Sequence, residues 1–251
     1  MDGDLTLAAE LVRDAGRLAA AMLDGGLSTQ YKSSVSDVVS AADHAAEALV
    51  VQRLRAERPG DGIVGEEGTD EPGTRTWYVD PVDGTYNFLS GLPVWCSALA
   101  LADADGPLLG AVYHPDPDEL WLGGRGQPST CNGAPLAPME DRPLAEVSLA
   151  TYLHPTTLPD DSVRVPLLRA LRQAATVRTF GSASVELSWV AGGRLGAYLQ
   201  YDSLPWDWLP GAALVTAAGG TATVVQAGGH RWHLAGGRQA VTELSTLVRG
   251  A

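Results

Sequence analysis

The sequence is poor in lysine and in basic residues generally. Lys32 is the only lysine among 251 residues, and 17 basic side chains stand against 30 acidic ones, for a net charge of −13. A surface with this charge repels phosphate backbones, which argues against nucleic-acid binding. A run of apolar residues long enough to span a membrane is also missing. We therefore expect neither a nucleic-acid partner nor a membrane partner.

Cysteine is scarce as well. Cys96 and Cys131 are the only two, they lack a close metal-ligand spacing, and a chain of this length needs no disulfide. Cys96 lies in an apolar segment, which favours a core position over a nucleophile. The acidic start, Met1 to Asp4, does not fit a signal peptide. We expect free thiols in a reducing cytoplasm, and a composition rich in arginine, alanine and glycine is typical of a high-GC bacterial background.

Hydrophobic spacing predicts helices and strands that alternate in the second half, as in a sheet covered by helices. The segment Gly123 to Pro143 is rich in glycine and proline and is predicted to be a loop. It divides the chain into an N-terminal part, 1–143, and a C-terminal part, 144–251, which we expect to form a single structural unit. The predicted helices are Leu5–Leu23, Asp37–Arg58, Gly84–Leu89, Val163–Ala175, Ala183–Ala191, Asp207–Ala218 and Val241–Val248. The predicted strands are Ile63–Val64, Thr76–Val79, Val94–Ala102, Leu108–Tyr113, Leu120–Leu122, Val147–Ala150, Thr176–Phe180, Gly196–Leu199 and Thr221–Val225.

The most informative motif runs from Trp77 to Phe88 and contains two aspartates three residues apart. A strand delivers Asp80, and Pro81 is expected to break the strand and stiffen the turn. Asp83 can then return to the same side, so that both carboxylates and the Val82 carbonyl converge on one point. Such hard oxygen ligands suit magnesium.

The same turn is predicted to open a short helix. Glycine at position 84 lets a phosphate approach the backbone, and the N–H groups of Gly84 and Thr85 favour an anion. The simpler alternative is an aspartate that caps a helix after a strand.

Two further acidic segments accompany this motif. Glu66 follows a short strand in a Gly-Glu-Glu-Gly turn, where the alternative is a solvated acidic turn. Asp207 begins an apolar helix that ends at Gly219-Gly220, where the alternative is an N-cap.

Taken together, the three segments resemble the inositol monophosphatase family of magnesium-dependent, lithium-sensitive phosphatases. The matching signatures are Gly65-Glu66-Glu67, Asp80 to Phe88, and Trp206-Asp207 to Gly220, in the order that the family has them. Weaker likeness covers nearly the whole chain. The resemblance implies an α/β (α+β) fold, a layered α/β/α/β/α sandwich of the inositol monophosphatase and fructose-1,6-bisphosphatase type, and commonly a homodimer.

The resemblance also implies a role for each matching position. Glu66, Asp80 and the Val82 carbonyl would bind a first Mg²⁺ ion, while Asp80, Asp83 and Asp207 would bind a second. A third, more weakly held ion would lie near Glu66, and Glu66 is counted with Thr85 and Asp43 among the catalytic residues. Thr85 with Asp43 would orient and deprotonate the attacking water. Lys32 lies in a loop that resembles the family's lysine loop near the phosphate, with a solvated lysine as the alternative.

The resemblance implies a small phosphorylated metabolite as substrate, with inositol 1-phosphate as the leading expectation. Histidinol phosphate and other sugar or nucleotide phosphates remain alternatives, as does a catalytically silent relative that binds a ligand or partner. Ser182 and Ala183 match the family's substrate-side turn. Gln200 stands where the family often has a glutamate, and the loss of that charge would weaken binding of a cationic substrate. Asp202 could compensate.

Two smaller motifs are assigned no chemistry. His230 and His233 lack convincing partners, so an exposed strand or turn is favoured over a zinc site. Gly123 to Gly126 precedes no predicted helix, so it is not interpreted as a dinucleotide-binding loop.

Overall fold

A computed structural model describes residues 2–25, 29–31 and 38–250 of the chain. Lys32 and Asp37 lie outside these residues. The helices are α1 (Asp2–Asp24), α2 (Ala41–Glu57), α3 (Thr85–Leu89), α4 (Asp161–Leu171), α5 (Ala183–Ala191), α6 (Pro205–Ala217) and α7 (Arg238–Arg249). The strands are β1 (Thr29–Tyr31), β2 (Val38–Ser40), β3 (Gly62–Gly65), β4 (Asp70–Glu71), β5 (Thr76–Asp83), β6 (Cys96–Asp103), β7 (Gly106–His114), β8 (Glu119–Gly124), β9 (Gln127–Cys131), β10 (Ala134–Pro135), β11 (Ser148–Ala150), β12 (Thr176–Arg178), β13 (Ala197–Tyr201), β14 (Thr221–Ala227) and β15 (His230–Gly236).

Two sheets organise the molecule. The larger has the order β10-β9-β8-β7-β6-β5-β3-β4 and is antiparallel except where β3 pairs with β5. The smaller has the order β12-β11-β13-β15-β14, and β11 runs parallel to both of its neighbours. Strands β1 and β2 form a separate antiparallel pair.

Helices cover both sheets, and the layers alternate. Helices α1 and α2 pack on one face of the larger sheet, and α5 and α6 lie between the two sheets. Helices α4 and α7 cover the outer face of the smaller sheet. This arrangement confirms the expected layered α/β/α/β/α sandwich. The middle layer draws buried residues from both sides of residue 143, including Val112 of β7 and Leu214 of α6.

Sequence periodicity explains the helices and strands of the core. In α1 the buried residues Leu7, Leu11, Ala15 and Ala19 follow a spacing of four, which places them on one face of the helix. Strand β6 is apolar and buried along almost its whole length because helices cover both faces of the sheet. Each fully buried leucine contributes about 1.5–3 kcal/mol through removal of its surface from water.

The prediction of a loop from Gly123 to Pro143 was wrong for the N-terminal part of that segment, while residues 136–143 lie outside helices and strands. Strands β9 and β10 lie within it and extend the larger sheet at one edge. Backbone hydrogen bonds form this edge, and a short polar strand such as β9 carries no hydrophobic pattern by which it could be recognised. The Ser129 hydroxyl donates to the Leu214 carbonyl at 2.7 Å, which ties β9 to α6.

The helix predicted from Asp37 begins only at Ala41, because residues 38–40 form β2. The other predicted helices and strands lie within a few residues of their predicted positions, but β4 and β15 were not predicted. In the part of the chain that the structure describes, no helix combines the length and hydrophobicity required to cross a membrane.

Candidate active site

The run that contains Asp80 and Asp83 is part of a continuous strand. The prediction that Pro81 breaks the strand was wrong: β5 continues to Asp83, with a shift in register against β6 between the two aspartates. Asp80 pairs with Ala98 and Asp83 with Cys96, so three steps on β5 match two on β6. Such a bulge accommodates a proline, which has no N–H to contribute to the ladder. The extra residue bends β5 between Asp80 and Asp83, the two positions that carry the carboxylates.

Asp83 is held by a helix that lies a hundred residues further along the chain. Its carboxylate accepts hydrogen bonds from the backbone N–H groups of Ala183, at 3.2 Å, and Ser184. These groups belong to the first turn of α5, where the helix dipole favours a negative charge. Asp83 therefore does not cap α3, as the simpler interpretation proposed. The residue before α3 is Gly84, and no side chain caps that helix.

Gly84 adopts a left-handed backbone conformation, with φ of 94°. A Cβ atom at this position would lie 3.0 Å from the Val94 carbonyl oxygen and 3.1 Å from the Ser182 Cβ atom. Glycine is thus required both for the backbone angle and for the close approach of two neighbouring segments. The turn brings the start of α3 against the residue that precedes α5.

Asp80 is a buried carboxylate, with 2% of its surface exposed. Burial raises its pKa well above the usual range, and the negative charges of Glu66, Asp83, Asp207 and Asp43 raise it further. Burial also raises the pKa of Asp207, with further contributions from Asp83 and Glu66. Asp207 is in the first turn of α6, three residues after Leu204, so it is not the N-cap. The fold thus gathers carboxylates from four distant segments.

This donor set fits a hard divalent cation. Carboxylate oxygens are the ligands that Mg²⁺ prefers, and a cation would relieve the repulsion that raises these pKa values. Within the described residues, the Asp80 Oδ1 atom is buried and has no hydrogen-bond partner, which leaves it available to a metal. In the same part of the chain, no group of three or more acidic, histidine or cysteine side chains has its ligand atoms close enough together to hold one metal ion. The structure shows carboxylates brought together, not a completed ligand shell.

Thr85 and Asp43 meet beside this group. The Thr85 hydroxyl lies 3.2 Å from Asp43 Oδ1 and 3.0 Å from the Val82 carbonyl oxygen, either of which can accept its proton. Asp43 is fully buried in the first turn of α2. The predicted water-handling pair and the predicted carbonyl ligand are therefore in direct contact.

The predicted substrate residues line one small pocket next to the carboxylates. Its volume is about 120 Å³, and Asp83, Ser182, Ala183, Gln200 and Asp207 all contribute to its wall. The Tyr198 hydroxyl donates to Gln200 Oε1. Because the oxygen of the amide is engaged, its NH₂ group remains as a donor for a ligand. Lys32 lies outside the described residues.

Sequence reasoning missed two residues at this pocket, Tyr152 and Glu186. Glu186 lies on α5, is 1% exposed, and accepts a hydrogen bond from the Phe180 N–H at 2.6 Å. Burial raises its pKa to about 8. The sequence does carry a signal for Glu186, since it is a single glutamate within the apolar run Ala183–Ala191. Burial of a carboxylate costs free energy, so an acid in a buried helix is a candidate for a functional role.

The two histidines near the C-terminus differ from their predicted environment. His233 is fully buried in β15, with its ring centroid 5.0 Å from that of Trp208, so an exposed position was wrong. His230 lies 2.6 Å from Asp202 through Nδ1 and 2.9 Å from the Ser162 hydroxyl through Nε2, which joins β15 to α4. Asp202 also accepts from the Arg231 N–H. Both oxygens of Asp202 are thus engaged away from the pocket. Asp202 does not replace the negative charge that a glutamate at position 200 would supply.

Comparisons with known proteins identify the family of the chain. A family model described as the inositol monophosphatase family matches residues 2–247. The chain belongs to this family. Inositol-1-monophosphatase of Bacillus subtilis is 30% identical over 228 residues, which cover 88% of this chain and 84% of that protein. The Nus factor SuhB of Salmonella typhimurium (strain LT2) is 31% identical over 238 residues, 92% of this chain and 88% of that protein.

A solved structure is similar over the whole chain. The IMPase of Thermotoga maritima superposes with a TM-score of 0.86 at 27% identity and covers 100% of this chain and 98% of its own. Membership of the inositol monophosphatase family makes the protein a phosphatase, which is a phosphoric monoester hydrolase. The family is generally metal-dependent and acts on small phosphorylated substrates.

Proposed function

We propose that this protein is a magnesium-dependent phosphatase that hydrolyses inositol 1-phosphate or a similar polyol phosphate with water as the nucleophile. The observation that carries the proposal is the group of carboxylates around Asp80, whose Oδ1 atom is buried without a hydrogen-bond partner among the described residues. A protein does not collect mutually repelling buried acids for stability, because each raises the pKa of the others. A perturbed cluster beside a pocket is typical of a catalytic site.

Two or three Mg²⁺ ions would be held by this cluster. When bound, they would supply Lewis-acid polarisation of the phosphoryl oxygens and positive charge opposite the leaving oxygen. They would also offset the repulsion between a protein of net charge −13 and a phosphate dianion. The side chains we assign to them are Glu66, Asp80, Asp83 and Asp207, together with the Val82 carbonyl.

Thr85 and Asp43 would handle the attacking water. The Thr85 hydroxyl orients the water. The Asp43 carboxylate, which contacts that hydroxyl, receives the proton that the water loses. Gly84 leaves space for the phosphate against the backbone at the start of α3. We expect no covalent phosphoenzyme, because the nucleophile in this arrangement is water.

Gln200 supports a polyol substrate over an amino alcohol. Its oxygen accepts from Tyr198, and we infer that Gln200 offers the donor NH₂ group to a ligand in the pocket. A substrate hydroxyl can accept such a bond, whereas an ammonium group has nothing to accept with. This argues against histidinol phosphate, and other sugar or nucleotide phosphates remain to be separated by assay.

The alternative is a catalytically silent relative that binds a partner. It is kept because one similar protein is named a Nus factor and not a phosphatase. The complete set of carboxylates favours activity.

We further propose a homodimer in a bacterial cytoplasm, which the family resemblance and the free cysteines support. Light scattering on the purified protein measures the oligomeric state directly.

A substrate panel tests the proposed activity. Purified protein with Mg²⁺ is assayed for phosphate release from inositol, sugar, nucleotide and amino-alcohol phosphates, and kcat/KM values are compared. We expect the highest value for a polyol phosphate, and a fall of about 1,000-fold or more in Asp83→Asn, because the variant weakens both metal binding and charge stabilisation. Asp116→Asn, at an exposed position, is the matched control. Absence of activity on the whole panel, or full activity in Asp83→Asn, would contradict the proposal.

A further inference from the structure

Glu47 is a buried carboxylate on α2 that the proposed chemistry does not use. It lies one helical turn after Asp43, so both side chains are on the same face of the helix. Only 4% of its surface is exposed. Both of its oxygens accept hydrogen bonds from one turn, the segment that joins β3 to β4. The Glu67 N–H donates to Oε2 at 2.7 Å, and the Thr69 hydroxyl and N–H donate to Oε1 at 2.7 and 3.3 Å.

The turn is shaped around this carboxylate. A Cβ atom on Gly65 would lie 2.4 Å from Glu47 Oε2, so only glycine leaves room for the acid. On its other side the turn is anchored to β5, because the Glu66 N–H donates to the Val79 carbonyl at 3.1 Å. The Glu67 carboxylate also approaches α2, with 3.5 Å between its Oε2 atom and His44 Nδ1.

These bonds constrain Glu66 through the backbone. The N–H group that donates to Glu47 Oε2 belongs to the peptide unit between Glu66 and Glu67. Because this peptide is planar, holding its N–H limits the backbone angle ψ of Glu66. The Glu66 N–H is held by β5, so the residue is fixed on both sides. These hydrogen bonds offset the cost of burying the charge, and all of them come from the turn that carries Glu66, which favours a positioning role.

We propose that Glu47 is a positioning residue that presents Glu66 to the metal site. Helix α2 then organises both sides of the site: Asp43 contacts the Thr85 turn, and Glu47 holds the turn that carries Glu66. Glu47 itself is not a ligand, since both of its oxygens are engaged. The inference rests on the proposed assignment of Glu66 as a magnesium ligand.

Metal binding by Glu47→Gln tests the inference. The Kd for Mg²⁺ is measured by isothermal titration calorimetry, and the half-saturating Mg²⁺ concentration is measured in the phosphatase assay. We expect both to rise about 10–100-fold, the usual effect of losing a group that orients a metal ligand. We expect kcat at saturating Mg²⁺ to stay within about threefold of wild type, because the reacting groups are intact. Glu57→Gln, at an exposed position on the same helix, is the control.

A second variant separates positioning from folding. Thr69→Val removes the hydroxyl bond to Oε1 but leaves the Glu47 carboxylate in place, and we expect a smaller rise in the same two quantities. If folded Glu47→Gln has the wild-type Kd for Mg²⁺, whatever its Tm, Glu47 does not position Glu66 and the inference is wrong. If wild-type protein neither binds Mg²⁺ nor releases phosphate, the proposed function itself fails.

Discussion

The Thr85 hydroxyl lies 3.2 Å from Asp43 Oδ1, although 42 positions separate the two residues in the chain. Asp43 comes from the first turn of α2, and Thr85 begins α3 immediately after the bulged end of β5. The pair thus joins a buried acid to the strand end that carries Asp80 and Asp83.

Because this pair would act on the water and not on the metal, its loss should change catalysis alone. We expect Thr85→Val to lower kcat about 100–10,000-fold, the range for loss of acid–base assistance. The Kd for Mg²⁺, measured by calorimetry, should stay near the wild-type value. Thr85→Ser keeps a hydroxyl and should recover much of the activity. A parallel loss of metal affinity in Thr85→Val would contradict the assignment and make Thr85 part of the metal site.

Gln200 and Tyr198 should together set the preference for uncharged substrates. We expect Gln200→Glu to raise kcat/KM for an amino-alcohol phosphate relative to a polyol phosphate by about 10–100-fold, since a hydrogen bond to a charged group contributes about 1.5–3 kcal/mol. Tyr198→Phe should shift the ratio in the same direction by less, because it frees the amide oxygen to face the pocket. Gln226→Glu, at an exposed position, is the control.

If neither variant changes the ratio, Gln200 does not contact the part of the substrate that differs between the two compounds. An unchanged ratio in Tyr198→Phe alone would show that the tyrosine does not orient the amide. The comparison of ratios removes any general loss of activity from the result.

His114 should make stability depend on pH. It is 2% exposed, lies 3.2 Å from the Ser188 hydroxyl, and burial lowers its pKa to about 4. The charge of Glu119 favours its protonation and that of Arg194 opposes it. The unfolded chain, with an ordinary histidine pKa near 6.5, binds more protons between pH 6.5 and pH 4, so stability increases with pH across this window.

We expect this histidine to remove about 2 kcal/mol of the free energy of unfolding between pH 8 and pH 5. Urea denaturation of wild type and His114→Gln at the two pH values measures the difference. The variant should be less stable overall, since it disturbs a packed site, but its loss on acidification should be smaller by about that amount. Equal losses in both proteins would show that folding does not lower the pKa of His114.

Much of the candidate site was predictable because its signals are local. The apolar strand that leads into Asp80, the glycine after Asp83 and the apolar helix that contains Asp207 are patterns over a few residues, and each places an acid in a strand or in the first turn of a helix. The helices of the core were equally predictable from a spacing of three or four apolar residues. Strands β9 and β10 were not, because edge pairing depends on backbone hydrogen bonds to β8 and leaves no hydrophobic pattern.

The chain sequence was sufficient for the kinds of side chain at the site and for most of the helices and strands, since these follow from residue types and periodicity. The layered fold was implied only by the resemblance of the motifs to the family. It could not show that the N–H groups of α5 hold Asp83, that Tyr198 engages the oxygen of Gln200, or that Glu47 supports the turn beside Glu66. It also could not show that Thr85 and Asp43 are in contact, which only the resemblance implied. These relationships join residues brought together by packing of the helix layers against the two sheets, and the distances between them are properties of the folded chain alone.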